Sequence, residues 1–407
     1  MTNRISVQCC IAGGGPAGMM LGFLLARAGV DVIVLEKHGD FLHDFRGDTI
    51  HPSTLEVMHE LRLLNEFLKL PHEEVRELKA QVGERTLTVA DFTHLPTRCR
   101  FIAFMPQWDF LNFLAGHAGR YPTFRLLMEA EVTGLIEKAG RVIGIEAKTR
   151  NGALAVSADL VVAADGRNSI LREKAGLRVK DLGAPMDVLW FRISRAPDDP
   201  AQTMGRFDVG RIFITINRGG YWQCGYVIPK GQFEEIRRQG FESFRQKVAQ
   251  LVPFARDRAG EPRNWEDVKL LTVRVDRLSR WFRPGFVCVG DAAHAMSPVG
   301  GVGINLAVQD AVAAANILAE PLRARTIETD HLRQIQKRRE FPTRVTQRMQ
   351  VLLQRRVIVR VLSETKPLKP PFVLRLISAI PLLRRIPAWL IGIGIRPEHV
   401  KVNSLTD

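Results

Sequence analysis

The sequence is poor in cysteine. Five are spread over 407 residues (Cys9, Cys10, Cys99, Cys224 and Cys288), an odd number with no C-x-x-C spacing. That argues against a disulfide framework and a thiolate zinc site, and predicts reduced thiols in a cytoplasmic setting. Long hydrophobic runs are lacking as well. The charge-free stretch 5–26 holds three consecutive glycines and Pro16, which would break a spanning helix or the core of a signal peptide. No internal repeat or low-complexity tract occurs, and no DNA- or RNA-binding motif accompanies the basic residues, so nucleic acid is not an expected partner. What remains is ordinary globular composition, 46% hydrophobic, in a chain long enough for one large core or two.

The most informative stretch is residues 5–36. Residues 7–12 read as a short buried strand, running into Gly13-Gly14-Gly15-Pro16-Ala17-Gly18 and then an apolar helix to Ala28-Gly29. A second strand, residues 30–35, ends at Glu36. This is a βαβ unit with glycines at G-x-G-x-x-G spacing. Gly13 permits the tight turn, Gly15 lets a pyrophosphate approach the backbone, and Gly18 lets helix and strand pack closely. The helix N-terminus offers free N–H groups and partial positive charge to phosphates. Glu36, eighteen residues after Gly18, stands where an acid accepts hydrogen bonds from a ribose diol. No second G-x-G-x-x-G follows in a βαβ setting and no C-x-x-x-x-C pair is present, which disfavours a reductase with two dinucleotide domains.

Further along, a loop over 37–49 carries Arg46-Gly47-Asp48, and the pattern predicts a helix over 54–68 capped by Ser53. Strands are expected within 75–89 about a turn at Gly83-Glu84, then a helix over 108–119 after Pro106-Gln107. Strands 132–138, 141–149 and 159–164 follow, the last ending at Asp165-Gly166. Residues 188–194, 211–217 and 221–228 read as strands of a sheet-based second domain, interrupted by a helix over 233–252. A buried strand at 286–290 and a long helix over 304–318 precede a basic, proline-interrupted helical end.

Two later segments make the cofactor specific. One is Ala158-Asp159-Leu160-Val161-Val162-Ala163-Ala164-Asp165-Gly166-Arg167-Asn168-Ser169. The other is Gly285-Phe286-Val287-Cys288-Val289-Gly290-Asp291-Ala292-Ala293-His294, continuing through Pro298-Val299-Gly300-Gly301-Val302-Gly303-Ile304-Asn305. With the first motif, in this order, the sequence resembles the single-component FAD-dependent aromatic hydroxylases, the para-hydroxybenzoate and ubiquinone-biosynthesis hydroxylase family. The resemblance implies an α/β fold: a Rossmann-like FAD-binding domain of glutathione reductase type, with an inserted β-sheet substrate domain and C-terminal helices. The division expected is flavin domain at 1–74, 100–181 and 276–345, substrate domain at 75–99 and 182–275, and a basic helical region at 346–407.

The same resemblance implies roles. Gly13, Gly15, Pro16, Ala17, Gly18, Glu36 and Lys37 hold the nucleotide, Arg46 pairs with the pyrophosphate, Gln107 bonds the ribityl chain and Val132 meets the adenine. Asp165 and Gly166 help hold the flavin and support nicotinamide binding, and Asp291 accepts from the ribityl hydroxyls. Pro298, Gly301 and Gly303 let the backbone pass beneath the ring, with Ile304 and Asn305 opening the helix aimed at its N1–C2=O edge. NAD(P)H is a transient co-substrate that passes hydride to the flavin; O₂ then adds at C4a, and the hydroperoxide oxidises an aromatic or quinone-like small molecule. His51 and His294, expected in loops near the ring, are candidates for substrate deprotonation. Phe104, Phe213 and Trp222 are candidates for the pocket wall, or for core. No metal is implied and no oligomeric state is indicated.

Two other readings keep the flavin. A geranylgeranyl reductase-like enzyme would reduce an unsaturated lipid without consuming O₂. A halogenase is disfavoured, since 222–229 has Ile-Pro without paired tryptophans. From a different class comes a peripheral membrane flavoprotein. The net charge is +15, and residues 320–407 alone hold 18 Lys+Arg against 7 Asp+Glu. Apolar stretches 372–377 and 386–391 flank Arg384 and Arg385, which suits an anionic bilayer. The reading preferred from sequence is a helix packed over the flavin domain.

Overall fold

The computed structural model describes residues 3–41, 49–200 and 203–402. At its centre lies a parallel sheet. Its strands run in the order Phe286–Cys288, Gly152–Ala163, Asn3–Ala12, Val32–Leu35, Phe124–Leu127, with Phe282–Arg283 antiparallel at one edge. The antiparallel strands Glu131–Lys138 and Arg141–Thr149 continue from Gly152–Ala163. Alternation along the first strand serves both faces. Cys9 and Ile11 enter the core under the helices, whereas Cys10 and Ala12 enter the opposite core beside Val156 and Trp281. Being buried on both faces is what makes these strands read as continuous apolar runs.

Two helices cover the first face. Pro16–Arg27 starts at a proline, whose fixed φ suits a first turn, and Gly303–Arg323 packs beside it. With the turn before it, the second is long and apolar enough to cross a membrane, but 83% of its most apolar stretch is buried inside the protein. It is a core helix.

A seven-stranded second sheet runs Lys269–Leu271, Met186–Ser194, Tyr221–Pro229, Arg211–Asn217, Met204–Asp208, Glu77–Val82, Arg85–Asp91. Pairing is antiparallel except where Met204–Asp208 meets Glu77–Val82. Small sheets of three and two strands join the remainder. Helix Phe241–Leu251 covers the second sheet with Phe244, Val248 and Leu251.

Two helices expected as continuous are broken. The 54–68 segment divides into Pro52–Glu60 and Leu64–Phe67 at Arg62, which takes φ 61°. The 233–252 segment divides at Gly240, φ 87°, a conformation glycine adopts at little cost. The C-terminal helices Phe372–Ala379 and Pro381–Gly392 pack on strand Arg85–Asp91 of the second sheet, not solely over the first.

Candidate active site

Three chain segments end at one place. The strands Asn3–Ala12 and Gly152–Ala163 and the turn after Phe286–Cys288 open on a cavity of about 480 Å³. Gly13, Gly15, Pro16, Ala17, Glu36, Lys37, Gln107, Val132, Asp165, Gly166, Asp291, Pro298, Gly301, Gly303 and Ile304 all line it. The N-termini of Pro16–Arg27 and Gly303–Arg323 both open onto it, so two sets of unpaired backbone N–H groups face the same space.

Glycine geometry divides the labour at the first turn. Gly13 sits at φ 109°, and a Cβ there would overlap the Ala164 carbonyl. A Cβ on Gly18 would overlap the Gly13 carbonyl, so Gly18 serves packing and stands outside the cavity wall. A Cβ on Gly15 or Gly303 meets nothing within 4 Å, because each faces open space. Glu36 accepts from the Gly14 N–H at 2.8 Å and the His38 N–H at 3.0 Å, which orients its carboxylate and leaves lone pairs for a diol.

Asp165 and Arg167 are held short of satisfaction. Asp165 Oδ2 accepts from Leu171 N at 3.3 Å, while Oδ1 is buried with no partner among the described residues. Burial pushes its carboxyl up, partly offset by hydrogen bonds from Ser169 and nearby backbone. Arg167 Nη2 reaches Asp291 Oδ2 at 3.3 Å, and its buried Nη1 has no partner among the described residues. A buried acceptor and a buried donor left unpaired on one cavity wall cost free energy unless a ligand completes them. Together with the open faces of Gly15 and Gly303, they fit a ligand with phosphates, hydroxyls and a flat ring. FAD has all three.

Several expected residues lie elsewhere. Asn305 is buried and ties the core helix to Pro52–Glu60, accepting from Thr54 Oγ1 at 2.6 Å and Ser53 Oγ at 2.9 Å, rather than facing the cavity. His51 is fully buried at the start of a helix, its Nδ1 2.7 Å from the Ile391 carbonyl and its Nε2 3.1 Å from that of Gly301. His294 Nε2 donates to Asp310 Oδ2 at 2.5 Å inside the core. Neither histidine lines the cavity; both His51 ring nitrogens sit against backbone carbonyls, while His294 engages Asp310 through Nε2 and its buried Nδ1 has no partner among the described residues. Phe213 and Trp222 are core of the second sheet, and Phe104 packs in a further apolar cluster. Arg46 lies outside the described residues.

What sequence reasoning missed is the wall opposite the nucleotide loops. Trp190, Ile216 and Leu271, from three strands of the second sheet, line the cavity with Met296. Trp190 pairs across the sheet with Gly225, and a Cβ there would lie 2.9 Å from the indole. The glycine therefore lets the ring lie flat against the sheet, and the indole Nε1 is buried with no partner among the described residues. Arg172 was missed too. It is buried and bridges Asp276 at 3.2 Å and the Arg167 carbonyl at 2.7 Å, which steadies the Asp165 turn.

A family model described as an FAD binding domain matches residues 6–349. The 6-methylpretetramide 4-monooxygenase of Streptomyces rimosus is 31% identical over 381 residues, 93% of this chain and 91% of that protein. The 3-(3-hydroxy-phenyl)propionate/3-hydroxycinnamic acid hydroxylase of Escherichia coli K12 is 28% identical over 75% of this chain, but the match covers only 54% of that longer protein. Among solved structures, p-nitrophenol 4-monooxygenase from Pseudomonas putida superposes with TM-score 0.78 at 19% identity, covering 97% of this chain and 100% of that one. The myxobacterial chondrochloren halogenase shares the fold as well, with TM-score 0.74 at 17% identity, covering 97% and 98%.

Proposed function

The chain belongs to the FAD binding domain family and is an FAD-dependent monooxygenase, and from that premise we propose that it uses NAD(P)H and O₂ to hydroxylate an aromatic or quinone-like small molecule. The observation that carries this reading is the cavity between the nucleotide loops and an apolar wall, where Asp165 Oδ1 and Arg167 Nη1 have no partner among the described residues. FAD, when bound, would supply the redox chemistry: two-electron transfer from the nicotinamide and activation of O₂, one oxygen atom going to the substrate ring and the other to water.

This chain's residues bind, orient and keep dry. The helix N-terminus at Gly15–Ala17 and the side chain of Lys37 would take the phosphates, and Glu36 the ribose. Asp291, held by Arg167, would take the ribityl hydroxyls with Gln107, while Pro298, Gly301 and Gly303 would leave room for the ring. Ile304 would open the helix whose N–H groups meet the ring's N1–C2=O edge. Trp190, Ile216 and Leu271 exclude water from the opposite side, and the free indole N–H suits a carbonyl or phenolate oxygen on a planar substrate. The pairing of strands 77–91 with strands 186–229 and 269–271 supports the division into a flavin domain (1–74, 100–181, 276–345), a substrate domain (75–99, 182–275) and a C-terminal region (346–407). Five buried free cysteines support a reducing, cytoplasmic setting.

The test is NAD(P)H oxidation by the yellow purified protein across phenols, quinolones and quinones, with O₂ uptake and ¹⁸O₂ incorporation recorded together. One ring class should stimulate all three. Stimulated NAD(P)H oxidation without O₂ uptake would make the enzyme a reductase and overturn the reading.

A further inference from the structure

We propose that the hairpin of helices Phe372–Ala379 and Pro381–Gly392 docks this protein on an anionic membrane surface, lying in the interface without spanning it. Its inner face is committed to the protein. Ala388 and Gly392 are buried, Gly392 approaching Pro52, Phe92 and Leu95, and Ser378 Oγ accepts from the Thr88 N–H at 3.1 Å. Ala388, Ile391 and Ile393 share an apolar cluster with Trp190 and Ile216 of the cavity wall.

The outer face is apolar and uncovered among the described residues. Phe372 is 71% exposed, Leu382 64% and Ile386 58%, with Val373, Leu376, Ile380 and Trp389 exposed beside them. Leu382, Ile386 and Trp389 recur at i, i+4 and i+7, one stripe of one helix. A soluble surface rarely gathers so many large apolar side chains without a partner.

Charge selects the partner. Between residues 365 and 397 there are six Lys+Arg and no Asp or Glu. Lys366, Lys369, Arg375 and Arg385 are exposed. A second copy seated on this face would bring like charges together with no acid in the segment to answer them. An anionic lipid surface answers them with phosphates while the apolar stripe enters the boundary of the acyl chains. Helices of 8 and 12 residues, separated by Ile380, fall short of the ~20 needed to cross a bilayer, so the hairpin lies flat. Because its inner face shares a cluster with the cavity wall, docking holds the substrate side of the enzyme close to an apolar phase.

The experiment is co-sedimentation of the full-length holoenzyme with vesicles of phosphatidylcholine containing phosphatidylglycerol, and with phosphatidylcholine alone. Pelleting is expected with the first and not the second, and added salt should release the protein. F372S/L382S should lower the partition coefficient at least about tenfold through lost apolar contact. R375Q/R385Q should lower it about 30-fold, at one charge's attraction each. Bound flavin should be unchanged in both variants. Failure to pellet with anionic vesicles, equal pelleting with both kinds, or full binding by F372S/L382S overturns the proposal. So does a wild-type dimer that F372S/L382S abolishes, which would make a second copy the occupant. If a variant loses flavin, the wild-type lipid comparison still decides.

Discussion

Two glycines two residues apart do opposite work. Gly13 is locked by its own backbone, at φ 109° against the Ala164 carbonyl, whereas Gly15 is free on the cavity side. Gly13→Ala should therefore destabilise the fold itself, by roughly 2–4 kcal/mol from strain and displacement. Gly15→Val should leave the urea midpoint of flavin-free protein unchanged yet give colourless protein, read as the 450 nm absorbance per chain. Gly225 has a third job, making room for the Trp190 indole. Gly225→Ala should push that ring toward the cavity and lower kcat/KM for the ring substrate about tenfold, with flavin content intact. The turn at Gly13 and the open face at Gly15 were legible in the sequence, because both are local and the spacing announces them. Gly225 was not, since its reason for being glycine stands on a neighbouring strand.

Elements are held around the cavity by buried ionic and polar links. Asp310, at the middle of the core helix, accepts from His294, from Arg339 Nε at 2.9 Å and from the Gly290 N–H at 3.1 Å, so it anchors the turn carrying Asp291. Arg339 continues to Glu398 Oε1 at 3.3 Å. Burial alone would raise the Asp310 carboxyl, but His294 and Arg339 outweigh it and hold the group below the usual carboxylate range. Its contribution to stability is therefore present above the ordinary value and lost as pH falls through the lower folded one. Arg339→Leu removes one cation from each of two buried carboxylates, leaving Asp310 to His294 and Glu398 to Arg338, and should cost about 3 kcal/mol, read as a shift in urea midpoint. His51 links the Gly301 turn to the end of the C-terminal hairpin. Burial lowers its pKa, against a partial rise from the two carbonyls. The unfolded chain then binds the proton more readily, so stability falls as pH drops below about 6.5 and levels off beneath the folded value. A thermal-unfolding series from neutral to mildly acid pH should show a smaller decline in His51→Gln than in wild type. None of these links could be read from the chain, because the partners stand 16 to 340 residues apart.

At the scale of the molecule, the cavity belongs to both sheets, with nucleotide loops on one side and Trp190, Ile216 and Leu271 on the other. A ligand filling it acts on the whole fold by mass action. FAD at a hundred times its Kd should raise the unfolding free energy by ~2.7 kcal/mol, and the Gly15→Val variant should show no such shift in a thermal melt.

The sequence by itself determined the flavin half of the protein. The cavity wall there is built largely by backbone at strand ends, and backbone shape is written locally in glycine, proline and the acid that follows a strand. Only the tertiary structure decided the other half. Which strand faces meet the cavity, which histidines are sealed in the core and which side of the hairpin stays bare depend on sheet register and on segments that meet only after folding. An alternating strand offers two equivalent faces until its neighbours choose one.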